Sequence, residues 1–214
     1  KVFEKFCSTL FRNSNSNFEK IMFGRYFGFV VLGILPLIIF LLIPGTSLNE
    51  IGLLPNASDK TLQSTYWTFG LGLIAILVNY YNSRDPVNLT KYPQVRKAQW
   101  TLKDILLNIF SWTFYLIGYE VLFRGILFLG IEPIIGLWPA ISFNVIVYSL
   151  AHLPKGKVET IGAIFLGFLL CYLTKLTGTI YVAIGVHVVL ALSNFLFSLK
   201  HHPTMTILIK RSES

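Results

Sequence analysis

FYLIGYEVLFRGILFL, residues 114–129, sets one glutamate and one arginine inside an otherwise apolar run. Glu120 and Arg124 stand four residues apart, so on a helix they share a face and can pair. Ionisable side chains are costly in lipid, and those found in membrane helices mark functional sites by default. This stretch therefore decides both the fold and the place to look for chemistry, provided that it lies in a membrane.

The composition of the chain favours a membrane protein. Of its 214 residues, 54% are hydrophobic and 13% are charged, against about 45–50% and about 25% in soluble domains. A soluble chain of this length has too much surface to bury nearly every helix on all sides. Six apolar segments come close to the ~20 residues of a membrane crossing, with the second slightly short: 26–43, 66–81, 105–129, 134–151, 158–177 and 179–199. We predict an all-α polytopic membrane bundle of about six transmembrane helices, forming one integral membrane domain over residues 1–214.

The basic residues are distributed by loop. The chain carries a net charge of +8, but it lacks the basic stripe with interleaved aromatics that is typical of nucleic-acid binding. With a cytoplasmic N-terminus, 15 of the 18 lysines and arginines lie on the inner side, leaving Lys60 and Lys175 outside and Arg124 within a span. Positive loops stay in the cytoplasm. The pattern predicts cytoplasmic termini, a cytoplasmic arm over residues 1–25, a cytoplasmic connection over residues 84–103, and no nucleic-acid partner.

Further polar residues concentrate in the last four spans, residues 105–199. Tyr148 and His152 repeat the four-residue spacing, while His187 and Asn194 are seven residues apart, which is about 20° around a helix. Each residue alone is compatible with a packing role, since polar side chains often join membrane helices. Placing two histidines, a glutamate and an arginine in the membrane costs more free energy than helix packing alone would require. We therefore expect these stripes to meet in one site.

The order of these motifs resembles a known family. Glu120-x-x-x-Arg124-Gly125, then an aromatic residue four before His152, then His187 on a later helix resemble the CAAX protease and bacteriocin-processing family (CPBP), also called Abi. That family includes the type II CAAX prenyl endopeptidases. The resemblance runs from Tyr119 to about Asn194. It implies an intramembrane endopeptidase, in a bacterial inner or plasma membrane, that hydrolyses a peptide bond near the membrane surface without a covalent acyl-enzyme.

The chain departs from the family pattern at three positions. Tyr119 stands where the first motif has its first glutamate, the residue taken to be the water-activating base. Tyr148 replaces the phenylalanine of the second motif, and Ala191 replaces the asparagine of the third. Asn194, one turn further along the same face, is the predicted substitute for that asparagine.

The candidate site residues follow from the motifs together with elementary acid–base chemistry. A buried carboxylate can act as a general base, a neutral imidazole can hold the same water, and polar donors can stabilise an oxyanion. We expect Glu120 and His152 to activate water, with Arg124 orienting Glu120. His187 and Asn194 are the predicted oxyanion stabilisers. Tyr119 and Tyr148 are the predicted substrate-binding residues.

Several alternatives stay open. We expect no cofactor, but Glu120, His152 and His187 are also a possible catalytic zinc set, although the His-Glu-x-x-His signature is absent. The expected partners are a peptide or lipidated protein substrate and membrane lipids. A catalytically silent relative that binds a peptide, as in bacteriocin immunity, is the main functional alternative. A small transporter or channel is a third, without the paired broken helices that would support it.

One geometric obstacle is visible in the sequence. Counted from the cytoplasmic start of its span at residue 105, Glu120 lies about 22 Å into the membrane. His152 lies at the cytoplasmic end of the following span. These residues meet only if part of the long run over residues 100–129 protrudes from the membrane or tilts.

Overall fold

Helices form nearly all of the regular structure in the computed structural model, which describes residues 17–54 and 58–208. We number the elements in chain order: α1 (Asn17–Phe29), α2 (Leu35–Leu41), α3 (Ser58–Asn82), α4 (Pro86–Lys91), β1 (Gln99–Trp100), α5 (Leu102–Glu120), α6 (Glu132–Ile135), α7 (Leu137–His152), α8 (Lys157–Thr177), α9 (Tyr181–His201) and β2 (Thr206–Ile207). Two π-helical segments, Val30–Ile34 and Val121–Leu129, continue α1 and α5 without a break.

Five helical runs in the described residues are long and apolar enough to cross a membrane: Asn17–Leu41, Lys60–Asn82, Leu102–Ile135, Lys157–Thr177 and Tyr181–His201. The predicted span 134–151, which is not among these five runs, corresponds to the helix α7, whose 16 residues extend about 24 Å. Large apolar side chains such as Phe69 and Phe165 point outward, being 78% and 73% exposed, which is typical of a lipid-facing surface. The predicted all-α polytopic bundle is confirmed.

The ends of the elements differ from the predicted segments. The first span begins at Asn17, so residues 17–25 of the predicted cytoplasmic arm are helical, and residues 1–16 of that arm lie outside the described residues. The two strands pair in parallel, with Gln99 opposite Thr206 and Trp100 opposite Ile207. This pairing ties the segment after α9 to the start of α5. That the whole chain is a single domain stays a prediction.

The long run Leu102–Ile135 begins at a local sequence signal. Thr101 caps α5, because its hydroxyl accepts from the Asp104 amide at 3.2 Å while Asp104 Oδ2 accepts from the Thr101 amide at 2.8 Å. Such a capping box satisfies amides that have no partner within the helix. The run has 34 residues, or about 51 Å, so it is too long for one perpendicular crossing, as the sequence predicts.

Polar pairs and glycines hold the helices together. Asn79 Nδ2 of α3 donates to Ser193 Oγ of α9 at 2.8 Å, and the hydroxyls of Ser64 on α3 and Thr179, just before α9, lie 2.7 Å apart. A Cβ added at Gly33 would lie 2.7 Å from the Cα of Gly118, so the π-helical segment Val30–Ile34 crosses α5 backbone to backbone. Small residues and interhelical hydrogen bonds are the usual means of packing helices in lipid.

Candidate active site

Two helical runs, α5 with its π-helical continuation and α9, deliver polar side chains to one buried point. Glu120 ends α5, Arg124 lies in the following π-helical segment, and His187 comes from the middle of α9. Glu120 Oε1 lies 2.6 Å from His187 Nδ1, and Glu120 Oε2 lies 3.3 Å from Arg124 Nη1. Glu120 and Arg124 are both 0% exposed. The carboxylate is therefore held between two cation-forming groups and does not face open solvent.

His152 reaches the same point from the end of α7. Its Nδ1 lies 2.9 Å from the carbonyl oxygen of Tyr148, and a carbonyl can only accept, so Nδ1 carries the proton. A neutral imidazole then leaves the lone pair on Nε2. The same argument applies to His187, because Glu120 accepts at its Nδ1. Each ring therefore has its tautomer fixed by a partner and its Nε2 available as a base.

Tyr119 stands between the two imidazoles. Its ring centroid is 6.4 Å from that of His152 and 5.7 Å from that of His187. Its side chain is buried, and its hydroxyl has no hydrogen-bond partner in the described part of the chain. A buried hydroxyl without a partner is costly, so this group is a free donor placed beside two bases.

Arg124 is supported on its far side by aromatic and polar groups. Its guanidinium carbon lies 4.2 Å from the ring centroid of Tyr148, a cation–π contact that partly replaces hydration. Asn144 Nδ2 donates to the carbonyl of Phe123 at 2.5 Å, and Cys171 Sγ donates to Asn144 Oδ1 at 3.1 Å. The Phe123 carbonyl belongs to the π-helical segment, where a widened turn exposes backbone acceptors. Asn144 thus fixes the segment that carries Arg124.

This geometry makes a comparison with known proteins informative. Residues 101–196, just under half of the chain, match the family model described as Type II CAAX prenyl endopeptidase Rce1-like. The match confirms the predicted resemblance. No curated protein and no solved structure matches the chain.

The Rce1-like match covers every motif of the site, since it begins at the residue that caps α5 and ends beyond His187. The family is one of membrane proteases, and with the five apolar helices it identifies an integral membrane protein. The orientation of the termini and the bacterial membrane stay predictions. The roles of the individual site residues also stay predictions.

Most of the predicted site residues are brought together within the Rce1-like segment. Glu120, Arg124 and His187 contact one another, and the rings of Tyr119, Tyr148, His152 and His187 form a continuous aromatic cluster. The expected separation of Glu120 from His152 does not occur, because Tyr119, the residue before Glu120, packs against His152. The run Leu102–Ile135 has 34 residues, so it is long enough to protrude from the membrane or tilt, which is the condition that the sequence sets for these residues to meet.

Asn194 is not part of this cluster. It lies two turns beyond His187 on α9, about 10 Å along the axis, and its Oδ1 accepts from Ser198 Oγ at 3.2 Å. Asn144 and Cys171 are the residues that sequence reasoning missed. Asn144, Tyr148 and His152 follow each other at four-residue intervals, so the stripe on α7 could have been extended by one turn to find the first of them.

The connection between α3 and α5 is held by contacts with Glu159 at the start of α8. Tyr92 donates to Glu159 Oε2 at 2.9 Å, and Lys91 Nζ lies 3.9 Å from Glu159 Oε1, at the start of α8. Burial raises the pKa of Tyr92 and the neighbouring carboxylate raises it further, so the phenol stays protonated and remains a donor. This contact positions the connection against the first turn of α8.

The donor set for a metal is limited. The described residues contain no group of three or more His, Cys, Asp or Glu side chains that could hold a metal ion. Glu120, the third member of the possible zinc set, directs its oxygens at His187 and Arg124. His152 Nε2 and His187 Nε2 are therefore the atoms of that set that keep a free lone pair in the described part of the chain.

Proposed function

We propose that the protein is a membrane endopeptidase that hydrolyses a peptide or lipidated protein substrate with a water molecule activated by two imidazoles. The observation that carries the proposal is the 2.6 Å contact between Glu120 Oε1 and His187 Nδ1, buried beside a second histidine in a segment that matches a protease family. A carboxylate that holds the Nδ1 proton of histidine fixes its tautomer and stabilises the imidazolium that forms during catalysis.

The proposed reaction uses each group once. His187 Nε2 takes a proton from water as the oxygen attacks the scissile carbonyl carbon, while His152 Nε2 accepts the second hydrogen of that water. The imidazolium of His187 then gives its proton to the departing nitrogen as the C–N bond breaks, which leaves an amine and a carboxylic acid. The acid's proton, which is the second hydrogen of the water, passes through His152 Nε2 to solvent, so the final products are a carboxylate and an amine. Arg124 keeps Glu120 ionised throughout.

Tyr119 supplies the oxyanion donor in this scheme. A neutral imidazole whose proton sits on Nδ1 cannot donate from Nε2, so neither histidine can hold the developing oxyanion before protonation. The ring of Tyr119 packs against both imidazoles, and its hydroxyl, which has no partner in the described part of the chain, can donate to the oxyanion. In this scheme Tyr119 stabilises the oxyanion in place of His187 and Asn194. Glu120 orients His187 and does not contact the water directly.

The test is a cleavage assay on purified protein in lipid nanodiscs. A library of peptides with and without a prenylated cysteine near the C-terminus is incubated with the wild type and with Glu120→Ala, and products are identified by mass spectrometry. We expect cleavage by the wild type alone, unchanged by a chelator. Activity abolished by a chelator and restored by zinc would replace the metal-free scheme with a metal-dependent one.

A second candidate function is peptide binding without hydrolysis, as a silent relative would show. It is favoured by Tyr119, which stands in place of the first-motif glutamate, and by a carboxylate whose oxygens are both engaged. Tyr119→Glu separates the candidates, because a silent protein should gain cleavage whereas a working enzyme should lose its oxyanion donor. Binding of library peptides with no cleavage by the wild type would establish the second candidate.

A further inference from the structure

We propose that Arg25 binds a phosphate group at the membrane surface, and that the headgroup of an anionic phospholipid supplies this phosphate. Arg25 lies on α1, outside the segment that matches the Rce1-like family. The site is independent of the proposed function, because Arg25 takes no part in the proposed hydrolysis.

Arg25 is a buried cation whose hydrogen-bond acceptors are all neutral among the described residues. It is 6% exposed, and its Nη1 donates to Asn108 Oδ1 at 2.8 Å and to Ser111 Oγ at 3.2 Å, while Nη2 donates to Gln94 Oε1 at 3.0 Å. The ion pairs found in the described part of the chain do not include Arg25. Buried charges are ordinarily paired with an opposite charge, so Arg25 has unmet capacity for an anion.

Asn108 provides a second donor at the same place. It is 1% exposed, its Oδ1 faces Arg25, and its Nδ2 makes no hydrogen bond to any residue that the structure describes. A buried amide without an acceptor is costly. A phosphate has several acceptor oxygens, so it can take hydrogen bonds from the guanidinium and from this amide at the same time. Arg25 and Asn108 therefore combine the charge and the donors that a phosphate needs.

The length of the run Leu102–Ile135 places these two donors at the depth of the lipid phosphates. The run has 34 residues and extends about 51 Å, whereas the hydrocarbon core is about 30 Å thick. Centred on that core, the run reaches about 10 Å into each headgroup layer. Asn108 follows Leu102 by six residues, or about 9 Å. Arg25, which donates to Asn108, therefore lies where the hydrocarbon meets the headgroups.

Gln94 marks the side from which a phosphate reaches Arg25. Gln94 is exposed and lies on the connection between α4 and β1, whereas Asn108 is buried on α5. A phosphate can displace the Gln94 amide oxygen from Arg25 without moving a helix. It does not enter between α1 and α5, where a Cβ added at Gly28 would lie 2.7 Å from the Tyr115 ring.

The charges around Gln94 favour an anionic headgroup. Arg96, two residues further along the connection, and Lys103, in the first turn of α5, are both exposed and make no ion pair in the part of the chain that the structure describes. Basic residues next to a membrane attract anionic lipids. A choline headgroup would bring a further cation to this place, whereas phosphatidylglycerol brings only the negative charge of its phosphate.

The experiment measures the binding of single lipids to the full chain in a neutral detergent by native mass spectrometry. Phosphatidylglycerol and phosphatidylcholine with identical acyl chains are titrated separately, and we expect phosphatidylglycerol to bind more tightly to the wild type. Gln94→Glu should weaken its binding about 10- to 100-fold, the range of a charge-assisted hydrogen bond, because the new carboxylate pairs with Arg25. Gln99→Glu, the same charge change at another exposed glutamine, should leave the binding unchanged.

Arg25→Lys, which keeps the charge, should retain part of the affinity for phosphatidylglycerol. Equal phosphatidylglycerol binding by the wild type and Gln94→Glu overturns the site, and so does an equal loss in Gln94→Glu and Gln99→Glu. Inorganic phosphate, titrated without lipid, separates the two sources of the phosphate group. Phosphate binding that Gln94→Glu abolishes, in a wild type that binds the two lipids equally, assigns the site to free phosphate and overturns the lipid headgroup.

Discussion

The carboxylate of Glu120 contacts two partners. Its ion pair with Arg124 contributes to stability, and its contact with His187 serves the proposed catalysis. Oε2 faces Arg124 and Oε1 faces His187, with all three groups buried. Breaking a buried ion pair costs about 3–5 kcal/mol because it leaves one charge unpaired, whereas replacing both partners is often nearly neutral. Stability and activity should therefore respond differently to substitutions at this pair.

Glu120→Gln and Arg124→Met are each expected to lower the unfolding temperature in detergent strongly. The double variant Glu120→Gln with Arg124→Met should be more stable than the sum of the two losses, with a coupling of about 0.5–3 kcal/mol, and it should stay inactive because His187 has lost its carboxylate. Thermal unfolding and peptide cleavage on the three variants check this. Additive destabilisation would show that the pair does not interact.

Tyr119→Phe is a substitution in the site that removes a single hydroxyl group. Tyr119→Phe removes only the unpartnered hydroxyl, so we expect unchanged or slightly higher stability, unchanged KM, and a kcat lower by about 10²- to 10³-fold. Tyr172→Phe, at an exposed tyrosine on α8, is the control. A wild-type kcat for Tyr119→Phe would remove Tyr119 from the mechanism.

The sequence predicts the residues of this site better than it predicts their roles. The spacing of Glu120 and Arg124, and of Tyr148 and His152, is read directly because four residues on a helix share a face. Which atom of Glu120 faces His187 depends on how α5 and α9 cross, and nothing in the local sequence encodes that. For the same reason Asn194 is predicted as a partner of His187 and instead contacts Ser198.

At the scale of the elements, glycines set how closely the first span approaches α5. A Cβ at Gly118 would lie 3.0 Å from the Phe29 carbonyl oxygen, and one at Gly33 would lie 2.7 Å from the Cα of Gly118. Backbone neighbours cannot move aside as a flexible side chain can. The crossing therefore tolerates no side chain at either position without moving a helix.

Gly33→Ala and Gly118→Ala are expected to destabilise the protein by about 1–3 kcal/mol each, the usual cost of overpacking. Gly162→Ala on α8 is the matched control, since a Cβ there meets nothing within 4 Å, and it should leave the unfolding temperature unchanged or slightly higher. Thermal unfolding in detergent measures all three. Equal effects at Gly33 and Gly162 would contradict the close crossing.

The elements also show what patterning can and cannot predict. The length of the apolar segments indicates the long helices, because a helix that crosses the hydrocarbon needs about 20 mostly apolar residues. It does not indicate the π-helical segments. Pro36 explains one of them, because proline removes an amide donor and crowds the carbonyl four residues before it, and Val30–Ile34 widens just there. The other coincides with the Asn144 contact, which only the folded bundle provides.

At the scale of the whole molecule, the distribution of basic residues predicts the orientation. With a Cys7→Ser background, in which the remaining Cys171 is buried, Asn49→Cys should react with a membrane-impermeant maleimide on intact cells and Val87→Cys should not. Both positions are exposed in the structure, so burial does not confound the comparison. Labelling at Val87→Cys with protection at Asn49→Cys would reverse the predicted topology.

The central claim is that His152 and His187 form one hydrolytic site in a membrane protease. The most direct measurement is the single-turnover rate of cleavage of a defined substrate by the wild type, His152→Ala, His187→Ala and the double variant, each shown to be folded. Groups that act as a unit are non-additive, so each single substitution should remove most of the rate and the double variant should be little worse. A folded single variant that cleaves at the wild-type rate, or a folded wild type that cleaves no substrate, would contradict the claim.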